Sequence, residues 1–156
     1  MGHPIAQAIT AKSPRIIMYH RFSEQPDWRA VSHKEFEEQL KYLKANFNIV
    51  RLTELARMLR ERKPPCRNTV VLTIDDGYLD FFQIAAPLLV KYEVPATIFI
   101  VSNIVDKGLW LWDEALYYLT SHAPVGAYSI QHNHRTLEFT LHTTDDRIQA
   151  WTGLVN

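Results

Sequence analysis

A single cysteine, Cys66, leaves this chain of 156 residues no internal disulfide to hold it together. It sits in a proline-rich turn, Pro64-Pro65-Cys66, and carries no evident chemistry. An excess of one charge is equally absent. Seventeen basic residues meet seventeen acidic ones, so nothing in the balance points to nucleic acid or to an anionic membrane. No apolar run is long enough to span a bilayer, and residues 1–14 have no stretch that reads as a signal peptide. A cytoplasmic location is the expectation, unless a targeting segment lies upstream. Repeats and low-complexity tracts are missing too. What is present is an ordinary globular composition, with enough apolar residues for one domain with a packed core.

The most informative segment is Thr69-Val70-Val71-Leu72-Thr73-Ile74-Asp75-Asp76-Gly77-Tyr78. A β-branched, aliphatic run of this kind reads as a strand buried on both faces, as in parallel sheets. It ends in two adjacent carboxylates. In parallel sheets the chemistry lies just beyond the carboxyl ends of the strands. Two neighbouring carboxylates repel, and burial raises the cost of ionising both; a cation or a shared proton relieves the conflict. Turn chemistry is the rival explanation, since Asp before Gly is a common turn signal. Asp80 and Gln83, however, match a capping box and are expected to take over the capping of the next helix.

The rest of the chain alternates strands and helices. Residues 15–22 read as a strand. Ser32 and Glu35 form a capping box for a helix whose buried face is Phe36, Leu40, Leu43 and Phe47. A short strand over residues 48–52 follows, then a helix capped by Thr53 with Leu55, Met58 and Leu59 inward. After the Asp-Asp strand, Pro87 predicts a break and a second helical piece over residues 88–92. Residues 95–101 read as a fourth strand. This β-α-β-α-β-α-β order predicts a parallel sheet with right-handed crossovers. Beyond Ser102 the texture changes to a helix over residues 111–120, a hairpin over 128–141 turning near Asn133, and a last helix over 145–154 capped by Thr143 or Thr144.

The run Thr73-Ile74-Asp75-Asp76-Gly77 resembles the first motif of the polysaccharide deacetylases, the NodB-homology or carbohydrate esterase 4 group, with Ile74 in the place usually held by Phe. Ile16-Ile17-Met18-Tyr19-His20-Arg21-Phe22 is similar to that family's opening strand. Phe36-Glu37-Glu38-Gln39-Leu40-Lys41-Tyr42-Leu43 is similar to its first helix, and Tyr92-Glu93-Val94-Pro95-Ala96-Thr97-Ile98-Phe99-Ile100 to the strand after the Asp pair. The resemblance covers residues 15 to about 114. It implies an α/β fold, a partial (β/α) barrel with a C-terminal helix-and-hairpin insertion. Residues 1–14 would be a tail, and residues 15–156 the N-terminal part of a truncated domain.

The implied activity is metal-dependent removal of N- or O-acetyl groups from a polysaccharide. Amide hydrolysis pairs a poor electrophile with a poor nucleophile, and a divalent metal assists both. The resemblance makes Asp75 the general base and Asp76 a ligand to the metal, zinc in the first instance. The family's two histidine ligands come from a His-Ser/Thr-x-x-His motif. Its nearest counterpart here is His142-Thr143-Thr144-Asp145-Asp146, where Asp146 stands in place of the second histidine; the solvated start of a helix is the better reading. His132 and His134 share one strand face but fall in a polar hairpin. His122 has no evident partner. His20 is placed on the same rim as the Asp pair, and Tyr78 beside it; both are candidates for substrate contact. Trp110 and Trp112 are expected to pack in the core rather than on sugar.

The motifs that would carry the remaining ligands and the general acid are not found. The segment alone is therefore expected to be inactive, with unpaired strand edges inviting self-association. Two other classes stay open. One is a Mg²⁺-binding phosphoacceptor domain, which would need a lysine at a later strand end. The other is a remnant that binds glycan without turning it over.

Overall fold

A computed structural model of the chain describes residues 11–26, 28–132 and 135–155. They fall into two compact units, divided between Val101 and Ser102. Most of the expected tail, the hairpin turn at Asn133 and the side chains of His132 and His134 lie outside the described residues.

The first unit runs β1 (Arg15–Tyr19), β2 (Phe22–Ser23), β3 (Val31–Ser32), α1 (His33–Asn46), β4 (Asn48–Ile49), α2 (Leu52–Arg60) and β5 (Thr69–Ile74). A π-helical turn (Phe81–Ala85) then leads into α3 (Ala86–Lys91) and β6 (Ala96–Ile98). β5 is the organising strand, and all of its residues are buried. It pairs in parallel with β1, from Arg15↔Val70 to Tyr19↔Ile74. It also pairs in parallel with β4 and β6. Full burial suits its β-branched and aliphatic side chains, as expected for a central parallel strand.

Helix α1 begins where the sequence places it. The Ser32 hydroxyl accepts from the Glu35 amide at 3.3 Å, and the Glu35 carboxylate accepts from the Ser32 amide at 3.0 Å. The Ser32 bonds hold the Glu35 carboxyl below its usual range. Phe36, Leu40 and Leu43 are buried on one face, against Val70, Leu72 and Ile74 of β5 and Ile84, Leu88 and Leu89 of the later helix. Glu37 ties α1 to α3: its carboxylate meets Lys91 Nζ at 2.7 Å and the Tyr92 hydroxyl at 2.6 Å. Chiefly through Lys91, its carboxyl is lowered to about 2.

Tyr19 carries a pH prediction. Its ring is buried against Phe22 and Phe36, its hydroxyl donates to Gln39 Oε1 at 2.8 Å, and burial raises its ionisation to about 12. A raised folded value contributes stability that is complete below the unfolded value near 10 and is lost as pH rises through about 12. Between pH 10 and 12 the wild-type protein should therefore lose stability relative to Tyr19→Phe. Urea midpoints of the two proteins at matched pH check this, and a constant difference over that window would contradict it.

Several local expectations are corrected. Strand β1 stops at Tyr19, and Phe22–Ser23 pairs separately with Val31–Ser32. Strand β4 is only Asn48–Ile49, and β6 only Ala96–Ile98. Helix α2 starts two residues early, with Arg51 rather than Thr53 at its N-cap and no side-chain cap bond. Its inward residues are Leu52 and Leu55, whereas Leu59 is 57% exposed. Pro87 does not break the helix, for Ala86 is helical at φ −59° and ψ −43°. The wide turn over Phe81–Ala85 bonds the Ala86 amide back to Phe81, and Pro87 falls in the first turn of the renewed α register, where its missing amide costs little.

The second unit comprises α4 (Ser102–Lys107), α5 (Trp112–His122), the hairpin strands β7 (Ala127–His132) and β8 (Arg135–Thr140), and α6 (Thr144–Val155). Helix α4 was not foreseen; the helix, hairpin and last helix were. The Arg147 guanidinium donates to the Thr120, Ser121 and Ala123 carbonyls at the end of α5 and to the Leu141 carbonyl, satisfying acceptors a helix end leaves open. Trp110 and Trp112 are not core residues: they are 61% and 64% exposed. Helix α5 turns Thr120 inward instead, and Tyr117 meets Trp151 edge-on.

Candidate active site

Parallel pairing brings the candidate residues to one rim. Tyr19↔Ile74 is the last paired position of β1 and β5, so His20 and Asp75 come next on the two strands. The Asp75 amide continues the ladder by donating to the Tyr19 carbonyl at 2.9 Å. His20 is exposed, while Asp75, Asp76 and Tyr78 are half-buried.

The chain then turns sharply. The Gly77 amide donates to the Asp75 carbonyl at 2.9 Å, closing a three-residue turn around Asp76. Asp76 has φ +70° and Gly77 φ +76°. This is the positive-φ γ-turn, a strained conformation for any residue with a Cβ. A Cβ at Gly77 would touch the Ile100 side chain at an ordinary 3.4 Å, so it is the positive φ that calls for glycine here.

The electrostatics point the same way. Asp75 Oδ1 is buried and has no hydrogen-bond partner among the described residues. A buried, unpartnered carboxylate oxygen is costly and uncommon, and calls for a specific reason. A strained turn with an unsatisfied carboxylate at a strand end is the combination expected where structure is subordinated to chemistry.

Asp80 is placed differently from the expectation. It is already helical, at φ −61° and ψ −29°, and makes no side-chain cap bond. Its carboxylate instead accepts from Arg21 Nε at 2.7 Å and from the Phe22 amide at 3.2 Å. The Arg21 guanidinium lies over the Tyr78 ring, 4.2 Å from its centroid. Arg21 and Asp80 thus join the rim although the sequence reading gave neither a role there. They stand 59 residues apart, and no local pattern links them.

Of the other histidines, His142 lies at the start of α6, and His122, for which the sequence offers no partner, has one in its own helix. Asp146 Oδ2 accepts from the His142 and Thr143 amides, and Thr143 Oγ1 accepts from the Asp146 amide. That is the cap of α6, with Thr143 as its leading residue, and the backbone bond from Thr143 holds the Asp146 carboxyl below its usual range. His122 Nδ1 lies 2.9 Å from the Tyr118 carbonyl, within its own helix.

With the rim described, the comparisons with known proteins decide its setting. The model of the family described as polysaccharide deacetylase matches residues 62–153, more than half of the chain. This chain belongs to the polysaccharide deacetylase family. Its parallel strands and crossover helices form a partial barrel of that family's kind. Among its relatives is Bacillus subtilis (strain 168) YxkH, whose name places it with the polysaccharide deacetylases; the two are 36% identical over 78% of this chain and 44% of that protein. The poly-β-1,6-N-acetyl-D-glucosamine N-deacetylase of Staphylococcus aureus is 35% identical over 50% of this chain and 27% of its own length. The solved structure of IcaB from Ammonifex degensii superposes with a TM-score of 0.55 at 26% identity, covering 69% of this chain and 48% of that one. The chain thus spans less than half the length of these polysaccharide deacetylase relatives. The family match leaves the phosphoacceptor alternative without support.

A metal centre is not complete within the described residues. Among them no group of three or more His, Cys, Asp or Glu side chains is placed to hold an ion. Catalytic zinc ordinarily takes three protein ligands. The rim offers the carboxylates of Asp75 and Asp76 and the imidazole of His20, and the described part of the chain does not by itself fit a zinc ion.

Proposed function

We propose that this chain provides the base-bearing rim of a polysaccharide deacetylase, a hydrolase that removes acetyl groups from a glycan. The observation that carries the reading is the buried, unpartnered Oδ1 of Asp75 at the carboxyl end of the central strand, in a chain of this family. Asp75 is the general base: a carboxylate with an open lone pair can take the proton of an attacking water as it adds to the acetyl carbonyl. Asp76, held at positive φ, is a ligand to a divalent metal, zinc by resemblance. Adjacent residues at a strand end need not face the same way, which allows the two carboxylates separate tasks. His20 and Tyr78 flank the site and contact the sugar.

The substrate class is an N-acetylated polysaccharide, suggested by the name of the Staphylococcus aureus relative. The test is release of acetate from an N-acetylglucosamine oligosaccharide by the full-length protein. Turnover above the buffer rate is the expected result. A well-folded protein that binds the oligosaccharide without releasing acetate would favour a glycan-binding remnant and overturn the enzymatic reading.

A further inference from the structure

We propose that Arg21 is a positioning residue, which through Asp80 and the Tyr78 ring sets the orientation of the turn bearing Asp75 and Asp76. The inference deepens the deacetylase reading and rests on it. It begins from a mechanical problem. Asp76 is held at φ +70°, and strained conformations of this kind persist only where the surroundings over-determine them. On the side of Gly77 the turn lies against Ile100. On the side that follows, Tyr78 and Asp80 are fixed to the segment just beyond β1.

One side chain, Arg21, reaches both of them. Arg21 Nε donates to Asp80 Oδ2 at 2.7 Å while its guanidinium lies over the Tyr78 ring at 4.2 Å. The other Asp80 oxygen accepts from the Phe22 amide at 3.2 Å. The Arg21 and Asp80 side chains are 32% and 14% exposed, so this charge-assisted hydrogen bond is partly withdrawn from water. One guanidinium thus grips the chain two and four residues past Asp76, and it directly follows His20. Every candidate site residue is within a few residues of this clamp. Lysine cannot reproduce it, because an ammonium has no planar face to lay on Tyr78 while donating sideways to Asp80.

The experiment uses the full-length protein and its Arg21→Ala, Arg21→Lys and Asp80→Asn variants. Each is assayed for acetate release from an N-acetylglucosamine oligosaccharide, for thermal stability, and for the amide NMR signals of Asp75, Asp76 and Gly77. Misplacing a reacting group costs rate more than binding, so kcat should fall by about 10- to 100-fold with KM changed by less than about threefold. The three amide signals should move, melting should shift by only a few degrees, and Arg21→Lys should restore little of the rate. Unchanged kcat in Arg21→Ala, or full rescue by lysine, would overturn the proposal. A lowered melting temperature with unmoved amide signals would overturn it too, leaving Arg21 a structural residue. If the wild-type protein releases no acetate, the deacetylase reading fails on that result alone. The amide signals then still decide whether Arg21 holds the turn: moved signals uphold it, unmoved signals overturn it.

Discussion

Asp75→Asn in the full-length protein is expected to lower turnover by about 100- to 10,000-fold, the range a positioned general base supplies. The substitution keeps the shape of the side chain and removes its charge and its capacity to take a proton. Its effect on stability should have the opposite sign or none, because at the buried position of Oδ1, which has no partner among the described residues, a neutral amide costs less to bury than a charged carboxylate. A rate loss without a stability loss is what separates a catalytic carboxylate from a structural one. Acetate release and melting temperature, measured on the same preparations, check both halves. A protein that melts well below wild type and keeps its turnover per folded molecule would remove Asp75 from the mechanism.

The largest stability effect should come from Phe36→Ala. Phe36 is fully buried, with its ring 5.1 Å from Tyr19 and 4.8 Å from Phe22, both edge-on. Truncating a buried phenylalanine leaves a cavity that its neighbours fill only in part, at a cost of about 3–5 kcal/mol. Against a total stability of about 5–15 kcal/mol that is a large fraction. Leu59→Ala, on the exposed face of α2, should stay within about 0.5 kcal/mol of wild type. Urea unfolding of the two variants gives the comparison. A loss below about 1 kcal/mol for Phe36→Ala would mean that α1 does not pack on β5 as described.

The parts of the fold that were legible in the sequence are those encoded by contiguous residues. β5 carried its own burial in six consecutive residues, and all six are buried. The capping box of Ser32 and Glu35 and the apolar spacing from Phe36 onward gave α1 its start and its inward face. The cap at Thr143 was readable for the same reason. Illegible features were those decided by distant residues. Asp80 with Gln83 has the form of a capping box, but a cap needs extended backbone, and Asp80 is helical because Arg21 and the Phe22 amide claim its carboxylate. Pro87 reads as a helix breaker only if the preceding turn is α-helical, and the π-helical turn at Phe81–Ala85 removes the conflict. Trp110 and Trp112 look like core residues by type alone, yet α5 turns a different face inward.

The site shows the same division. Asp75 and Asp76 stood out as candidates because one short run contains a strand, its end and the turn. The expectation that His20 lies on the same rim came from counting two parallel strands to their carboxyl ends, and the pairing of β1 with β5 ends one residue before it, at Tyr19↔Ile74. The Arg21 clamp was not found, because it depends on which strands pair. The roles of Asp75 and Asp76 rest on the proposal above, and they differ in a way that one binding experiment can read.

That experiment is a zinc titration of the full-length wild-type protein beside Asp75→Asn and Asp76→Ala. The account predicts that Asp75→Asn keeps the wild-type affinity and stoichiometry, since the base is not a ligand. It predicts that Asp76→Ala weakens zinc binding by more than about 100-fold, since affinity rests on ligand number and geometry. Loss of zinc on Asp75→Asn with full binding retained by Asp76→Ala would contradict the assignment and exchange the two roles.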